Sequence, residues 1–557
     1  MRVDNYSGGN MMKKQIIALY VTIAFLVIGM VFGFNVLNNR IEALLDELVS
    51  ESAMNEALYL DGMIYDRDFV RTESGTEYVQ FDFAQEHFEQ GMELSNSGQR
   101  AYITIDTRFL DFEDEVLKAY ISENIVDINI PLVEFDGTKY IALEPLSRVI
   151  QCEYGNVGKD FWIMTYSSQS AITKASALYI NENLNIESRS LEADIFLKVI
   201  EIEDGYFVAG DEVIGYMKAL DLEISDSDSE YYTRYLDREV ASVSEPFFLV
   251  WDQINNHVES RNFQRELVEN RADIISPTFL ELNINGIIIN IAEMDYVRWA
   301  HENDLAVWVL ASNAFNPEWT HELLEDEVLV DRFISQLVVY TLIYEYDGVN
   351  LDFENIYLAD SDLFSEFVRK VNQAFDRIDM PVSIDVTVPG GSNQWSLVYD
   401  RVSLGQQVDY LMLMAYDEFW ASSDISGPVA SIPWVIEGLE ATLELVDSDQ
   451  VVLGIPGYMR VWKDYGNSNE SSVLSIINRD KYLKENDYQA VFDDVTGVNY
   501  AEKRVNGVLY RIWIEDTISI ASRLQIRKDY ELPGVAVWRR GFLDYETVLQ
   551  VDQGLSE

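Results

Sequence analysis

Asp347-Gly348-Val349-Asn350-Leu351-Asp352-Phe353-Glu354 alternates apolar and polar side chains from Val349 onward. A strand repeats every two residues, so Asn350, Asp352 and Glu354 share one face while Val349, Leu351 and Phe353 take the other. Two carboxylates on one inward face are costly unless they are paired, hydrogen-bonded or share a proton, and that environment is what displaces the pKa of a reactive acid. The alternating apolar partners and the adjoining Gly348 fit a buried strand and argue against a solvated loop.

Working outward, strand-like runs fall at 247–251, 274–280, 306–311, 348–353, 382–388, 410–415, 451–455 and 534–537, with amphipathic helical stretches such as 323–344 and 363–375 between them. Strands alternating with helices predict an α/β fold closed as a (β/α)8 TIM barrel. Residues 460–511 have a β-type pattern and predict a small insertion between strands seven and eight, walling one side of a cleft. In such barrels the chemistry sits at the C-terminal strand ends. Glu354 ends strand four, Tyr416 and Asp417 end strand six, Trp538 ends strand eight, and Asp252 and Gln253 follow strand one. Carboxylates, a phenol and an indole converging on one mouth suit a polar site with an aromatic floor, as a sugar ring requires. Trp251, Trp395, Trp420 and Trp434 are further aromatic candidates for the cleft.

The chain has 557 residues and a formal net charge of −56, too long for one ordinary domain and too acidic for nucleic acid to be its main partner. Lys13 and Lys14 precede an apolar run from Ile16 to Leu37, about 22 residues, which is enough to span a bilayer. With no small-residue cleavage pattern after it, the run predicts an uncleaved signal anchor. The expected result is a single-pass protein of the cell membrane, its N-terminus cytoplasmic and its catalytic domain outside, in the cell wall. The expected organisation is a cytoplasmic segment 1–14, a transmembrane anchor 15–37, a helical stalk or linker 38–100, two small β-rich modules at 101–167 and 172–224, and the barrel at 244–555. The spacing of Leu37, Ile41, Leu44 and Leu48 lets the stalk pair in a dimer. Cys152 is the only cysteine, which excludes an intramolecular disulfide, and none of the four histidines has metal-ligand spacing. No metal or organic cofactor is implied.

The barrel region resembles glycoside hydrolase family 18. Asp347, Asn350, Asp352 and Glu354 match its Asp-x-x-Asp-x-Asp-x-Glu signature, Met412 through Glu418 its strand-six motif, and Trp538 its strand-eight tryptophan. Gly427 through Trp434 and Trp513-Ile514-Glu515-Asp516 resemble a subgroup containing spore-cortex and cell-wall N-acetylglucosaminidases. The resemblance implies substrate-assisted, retaining hydrolysis of β-1,4 bonds in an N-acetylglucosamine-containing polysaccharide, peptidoglycan or chitin. Glu354 would be the acid and then the base, and Asp352 would orient the acetamido group and stabilise the cationic intermediate. Asn350 would hold Asp352, Tyr416 would bind the acetamido oxygen, and Asp417, Trp538, Met414 and Gln253 would bind substrate. Two positions depart from the pattern. Asn350 replaces an aspartate, so a proton cannot be relayed among three carboxylates here, and Phe419 stands where the subgroup often has histidine. A binding protein that has kept the barrel without turnover is the competing expectation. Upstream, Lys139 through Leu146 with Phe161-Trp162-Ile163 resembles the copper amine oxidase N-terminal-like module, without a copper site. Glu203 through Val208 with Gly215-Tyr216-Met217 resembles a bacterial Src-homology-type barrel.

Overall fold

The computed structural model describes residues 56–88, 91–106, 125–150, 152–165, 169–174, 176–180, 182–184, 187–224, 240–261 and 271–556. They divide into two compact units. In the first, Ala57–Leu60 lies parallel to Asp160–Met164 and antiparallel to Met63–Asp66. A second sheet contains the antiparallel series Phe196–Ile202, Gly205–Ala209, Ile214–Met217, Ser176–Tyr179 and Glu187–Leu191. Trp162, Met164, Phe207 and Tyr216 form its core, and the Tyr216 hydroxyl donates to the Gly62 carbonyl at 2.7 Å.

The second unit holds the barrel and, ahead of it, a six-stranded sheet in the order Val70–Glu73, Thr76–Gln80, Thr138–Ala142, Ile125–Phe135, Arg100–Asp106 and Glu93–Leu94. The described residues between 56 and 100, expected as part of a helical stalk or linker, hold five short strands and the start of a sixth, with a 3-10 turn at Arg67–Phe69 and a short α-helix at Phe81–His87. The reason is local turn chemistry. Asp61-Gly62 and Ser74-Gly75 take positive φ at both positions and close two-residue hairpins, which reverses the chain where a stalk would have continued.

Eight parallel strands form the barrel: β1 (Phe247–Asp252), β2 (Ile274–Pro277), β3 (Ala306–Ser312), β4 (Gly348–Asp352), β5 (Val382–Thr387), β6 (Tyr410–Met414), β7 (Val451–Pro456) and β8 (Gly534–Trp538). β1 pairs with β8 and β2 with β3, so the sheet closes on itself. Its interior is filled by Phe247, Leu249, Trp251, Trp308, Leu310 and Met412, among others, which makes it a packed core and not a pore. On β4 the two expected faces are realised. Asn350 and Asp352 turn inward, while Phe353 just beyond the strand packs its ring on Phe333, Phe364 and Phe367 of the surrounding helices.

Two additions flank the barrel mouth. Between β7 and β8 a five-stranded antiparallel sheet (Tyr458–Asp464, Asn469–Ser475, Val491–Asp493, Val498–Val505, Val508–Ile514) carries the helix Ile476–Glu485. Between β2 and β3 a hairpin, Leu280–Asn283 with Ile287–Asn290, is fixed to the six-stranded sheet through Asn129. That residue is wholly buried and hydrogen-bonded on every side, to Ile288, Asn290 and Tyr340.

The single-pass membrane localisation expected from the sequence is corrected here. Among the described residues no helix is long and apolar enough to cross a membrane. The longest, Glu327–Tyr344, carries Glu327, Asp331 and Arg332 in its first two turns and buries most of the rest against the barrel. The stretch 15–37 and the dimer-forming part of the stalk lie outside the described residues.

Candidate active site

β4 ends at the barrel mouth, and the chain leaving it is clamped. Asn313, buried directly after β3, donates from Nδ2 to the Glu354 carbonyl at 2.6 Å and accepts the Glu354 N–H on Oδ1 at 3.1 Å. The Tyr399 hydroxyl donates to the Phe353 carbonyl at 2.9 Å. These bonds satisfy the backbone where the ladder stops and fix the direction in which Glu354 enters the cavity.

That cavity, about 490 Å³, is lined by Asp352 and Glu354 together with Tyr416, Asp417, Met414, Trp538 and Gln253. Seven of the eight residues singled out from the sequence thus meet in one place. The eighth, Asn350, lies deeper in the barrel, fully buried, its Oδ1 accepting from the Trp251 indole at 3.0 Å. Asp252, at the end of β1, turns away from the cavity into a buried ion pair with Arg540 at 2.7 Å and accepts from the Tyr296 hydroxyl. Asp347 sits at the opposite end of the barrel. Its carboxylate accepts the backbone N–H of Val307 and Ala241 and meets His301 at 2.8 Å, so its part in the signature is structural.

The sequence reading missed Asp385. It is buried on β5 and lines the same cavity as Asp352 and Glu354. Register pairs Asn350 with Ser383 and Leu351 with Ile384, which brings Asp352 alongside Asp385. Three carboxylates therefore do converge, the third supplied by the neighbouring strand where position 350 of β4 has an amide. Burial pushes the Asp352 carboxyl up to about 7. Burial, then the charges of Asp352 and Asp417, hold Glu354 well above the usual carboxylate range. Asp385 is raised by burial and by its two acidic neighbours, with Asn350 and the Trp251 indole offsetting part of the effect. Three like charges cannot all be kept in this space, so the cluster holds protons at neutral pH and titrates as a unit. The Tyr416 phenol is likewise raised by burial and by Asp385, which keeps it a hydrogen donor.

Asp417 takes a φ of 61°, a left-handed conformation that turns its carboxylate back toward the mouth. There Oδ1 accepts from the Tyr458 hydroxyl at 2.6 Å and from Arg460 Nη2 at 2.8 Å, both on the first strand of the insertion. Trp538 and Trp251 are stacked obliquely, ring centroids 6.2 Å apart, so the indole at the cavity rests on the barrel core. Trp251 is itself core; Trp395 is exposed beside Phe315, a cavity residue, and Trp420 and Trp434 do not line the cavity. Phe419 does not line it either: its ring lies over Gly427, where an added Cβ would collide with the ring.

An eight-stranded barrel with buried carboxyl groups, a buried phenol and an indole around one open mouth defines a glycosidase-type site. Residues 264–542 match the model for glycosyl hydrolases family 18, and the chain belongs to that family. It is similar to the uncharacterized glycosylase YvbX of Bacillus subtilis, 24% identical over 271 residues that cover 46% of this chain and 77% of that one. It is also similar to the cortical fragment-lytic enzyme of Bacillus subtilis, 24% identical over 245 residues, 42% of this chain and 55% of the relative, so it spans little more than half of that protein. Among solved structures, a chitinase from Chromobacterium violaceum shares the fold with a TM-score of 0.51 at 20% identity, over 56% of this chain and 99% of that one.

Proposed function

We propose that this chain cleaves β-1,4 bonds beside N-acetylglucosamine in peptidoglycan, by substrate-assisted catalysis with retention at the anomeric carbon. The observation that carries the reading is the pair Asp352 and Glu354, both in one cavity with proton-holding carboxyls and bounded by Tyr416, Asp417 and Trp538. Glu354, protonated, gives its proton to the leaving glycosidic oxygen as the acetamido carbonyl of the substrate attacks the anomeric carbon. Asp352 accepts from the acetamido N–H and, by passing the cluster's proton to Asp385, becomes the carboxylate that stabilises the positive charge developing on the oxazolinium ring. The Tyr416 hydroxyl donates to the acetamido oxygen and limits its alternative poses. Water then enters on the same face, and Glu354, now a carboxylate, takes its proton. Trp538 stacks beneath the sugar at the cleavage point, with Gln253, Met414 and Asp417 around its edge.

Peptidoglycan is favoured over chitin because the relatives include cortical fragment-lytic enzymes and because the upstream sequence resembles wall-associated modules. The test is incubation of the full chain with purified peptidoglycan and, separately, with chitin oligomers, the products identified by mass spectrometry beside a Glu354→Gln control. Products with reducing N-acetylglucosamine ends from wall glycan, absent from the control, support the reading. Release from chitin oligomers alone makes the protein a chitinase, and binding without turnover of either makes it a glycan-binding scaffold.

A further inference from the structure

Among the described residues that line the cavity, Arg100 carries the only fixed positive charge. It does not come from the barrel. It sits at the start of a strand in the six-stranded sheet, its N–H donating to Ser95 Oγ at 3.1 Å and its carbonyl accepting from the Ser95 N–H at 2.9 Å. That strand pairs Arg100 with Pro131 and Tyr102 with Asn129, and Asn129 is the residue locked into the β2–β3 hairpin. The attachment through Asn129 therefore sets where the Arg100 side chain reaches the barrel mouth, beside Glu281, Ile289 and Ile291 of that hairpin. By strand order, β2 and β3 stand across the barrel from β6 and β7, so Arg100 faces the cavity from the side opposite Asp417 and Tyr458.

A guanidinium there needs an explanation. Acidic residues outnumber basic ones by 96 to 40, yet Arg100 makes no ion pair with any described residue, and its Nε is buried without a hydrogen-bond partner. The nearby Glu281 carboxyl is raised by burial, with the charge of Arg100 opposing that rise, and so only partly compensates it. A planar fork of donors in partly apolar surroundings is matched to a carboxylate, and the match is strongest where water is excluded.

We propose that Arg100 is a specificity residue for a carboxylate-bearing amino sugar, the 3-O-lactyl ether that alternates with N-acetylglucosamine in peptidoglycan, held on the β2–β3 side of the cavity. This rests on the hydrolase reading above and narrows its substrate class: a neutral chitin chain offers this side chain hydrogen-bond acceptors but no charge to pair with.

The test compares three glycans on the full chain: peptide-stripped wall glycan with free lactyl carboxylates, the same glycan with those carboxylates converted to methylamides, and glycan with its stem peptides attached. The free carboxylate form should be cut with a kcat/KM about tenfold above the methylamide, the worth of one charge-assisted hydrogen bond. In Arg100→Gln that ratio falls to near one, through KM, and in Arg100→Lys part of it returns. Equal turnover of the two forms by the native chain, or an even loss on both in Arg100→Gln with the ratio kept, overturns the assignment. A preference present only with stems attached moves the contact to a peptide carboxylate and overturns the sugar assignment. If no glycan is cut, the hydrolase reading fails, and calorimetric binding of the same glycans decides Arg100 separately: about tenfold tighter binding of the free carboxylate form supports it, and equal binding overturns it.

Discussion

Asp352 and Asp385 stand side by side on neighbouring strands, one step beyond the paired residues Leu351 and Ile384, and open into the same cavity. Each raises the proton affinity of the site. Asp385 thereby supplies, from β5, the third carboxylate that Asn350 denies to β4.

Removing it should be visible in the pH profile. Asp385→Asn removes one of three interacting carboxyls, so the two that remain no longer titrate against it and lose their protons over a lower pH range. The alkaline limb of kcat/KM, which reports Glu354 in its acid form, should move toward acid by about one pH unit. Measurement of kcat/KM across the pH range checks it; an unmoved limb with a uniformly lower rate would reduce Asp385 to a packing role.

Glu354→Gln should cost about 10²- to 10⁴-fold in kcat while improving stability at alkaline pH. A carboxyl whose pKa is higher in the folded chain than in the unfolded one binds its proton more tightly when folded. Stability is then lost as pH rises from the unfolded value, 4.5 for Glu354, through the raised folded value. The glutamine has no proton to lose. Its Tm should match that of the native chain near pH 4 and exceed it at pH 8. A Tm difference independent of pH would contradict the burial of this charge.

Tyr416→Phe removes one donor and little volume. Because the phenol stays protonated, on the proposed mechanism its contribution is a hydrogen bond to the acetamido oxygen as that atom, the nucleophile, closes the oxazolinium ring. A loss of about 10²-fold in kcat with KM nearly unchanged is expected, the size of one positioned donor felt mainly in the transition state. A rise in KM alone would mean that Tyr416 merely holds substrate.

The barrel was legible because each strand is a short apolar run bounded by polar residues, and because Asn350 and Asp352 on β4 and Glu354 just past it recur with period two. Asp385 carries a similar signal, a carboxylate between Ile384 and Val386 in an apolar strand, but one acid without a motif does not announce which way it faces. Asn313 was hidden for a different reason: its work is done on backbone atoms of Glu354, 41 residues away, and no periodicity records a bond of that range. Arg100 depends on how one sheet seats against another, which is tertiary information. The strands between 56 and 100 were missed although Asp61-Gly62 and Ser74-Gly75 are hairpin turn signals.

The motif residues Glu515 and Asp516 illustrate the converse, a family pattern that is structural. Asp516 caps the helix Thr517–Asp529, and Glu515 forms a bidentate pair with Arg523 at 2.7 and 3.0 Å, both side chains fully buried. Arg523 also donates to the Ala430 carbonyl at 2.7 Å, tying this helix to the segment after β6. Arg523→Ala leaves a buried carboxylate without its countercharge and a carbonyl without its donor, and should cost about 3–5 kcal/mol. Pairing Arg523→Met with Glu515→Leu removes the stranded charge and should recover most of that loss, but not all, because the Ala430 carbonyl still lacks its donor. Thermal unfolding of the three variants checks the order. If the double variant were no more stable than Arg523→Ala, the cost would lie in packing and not in an unpaired buried charge.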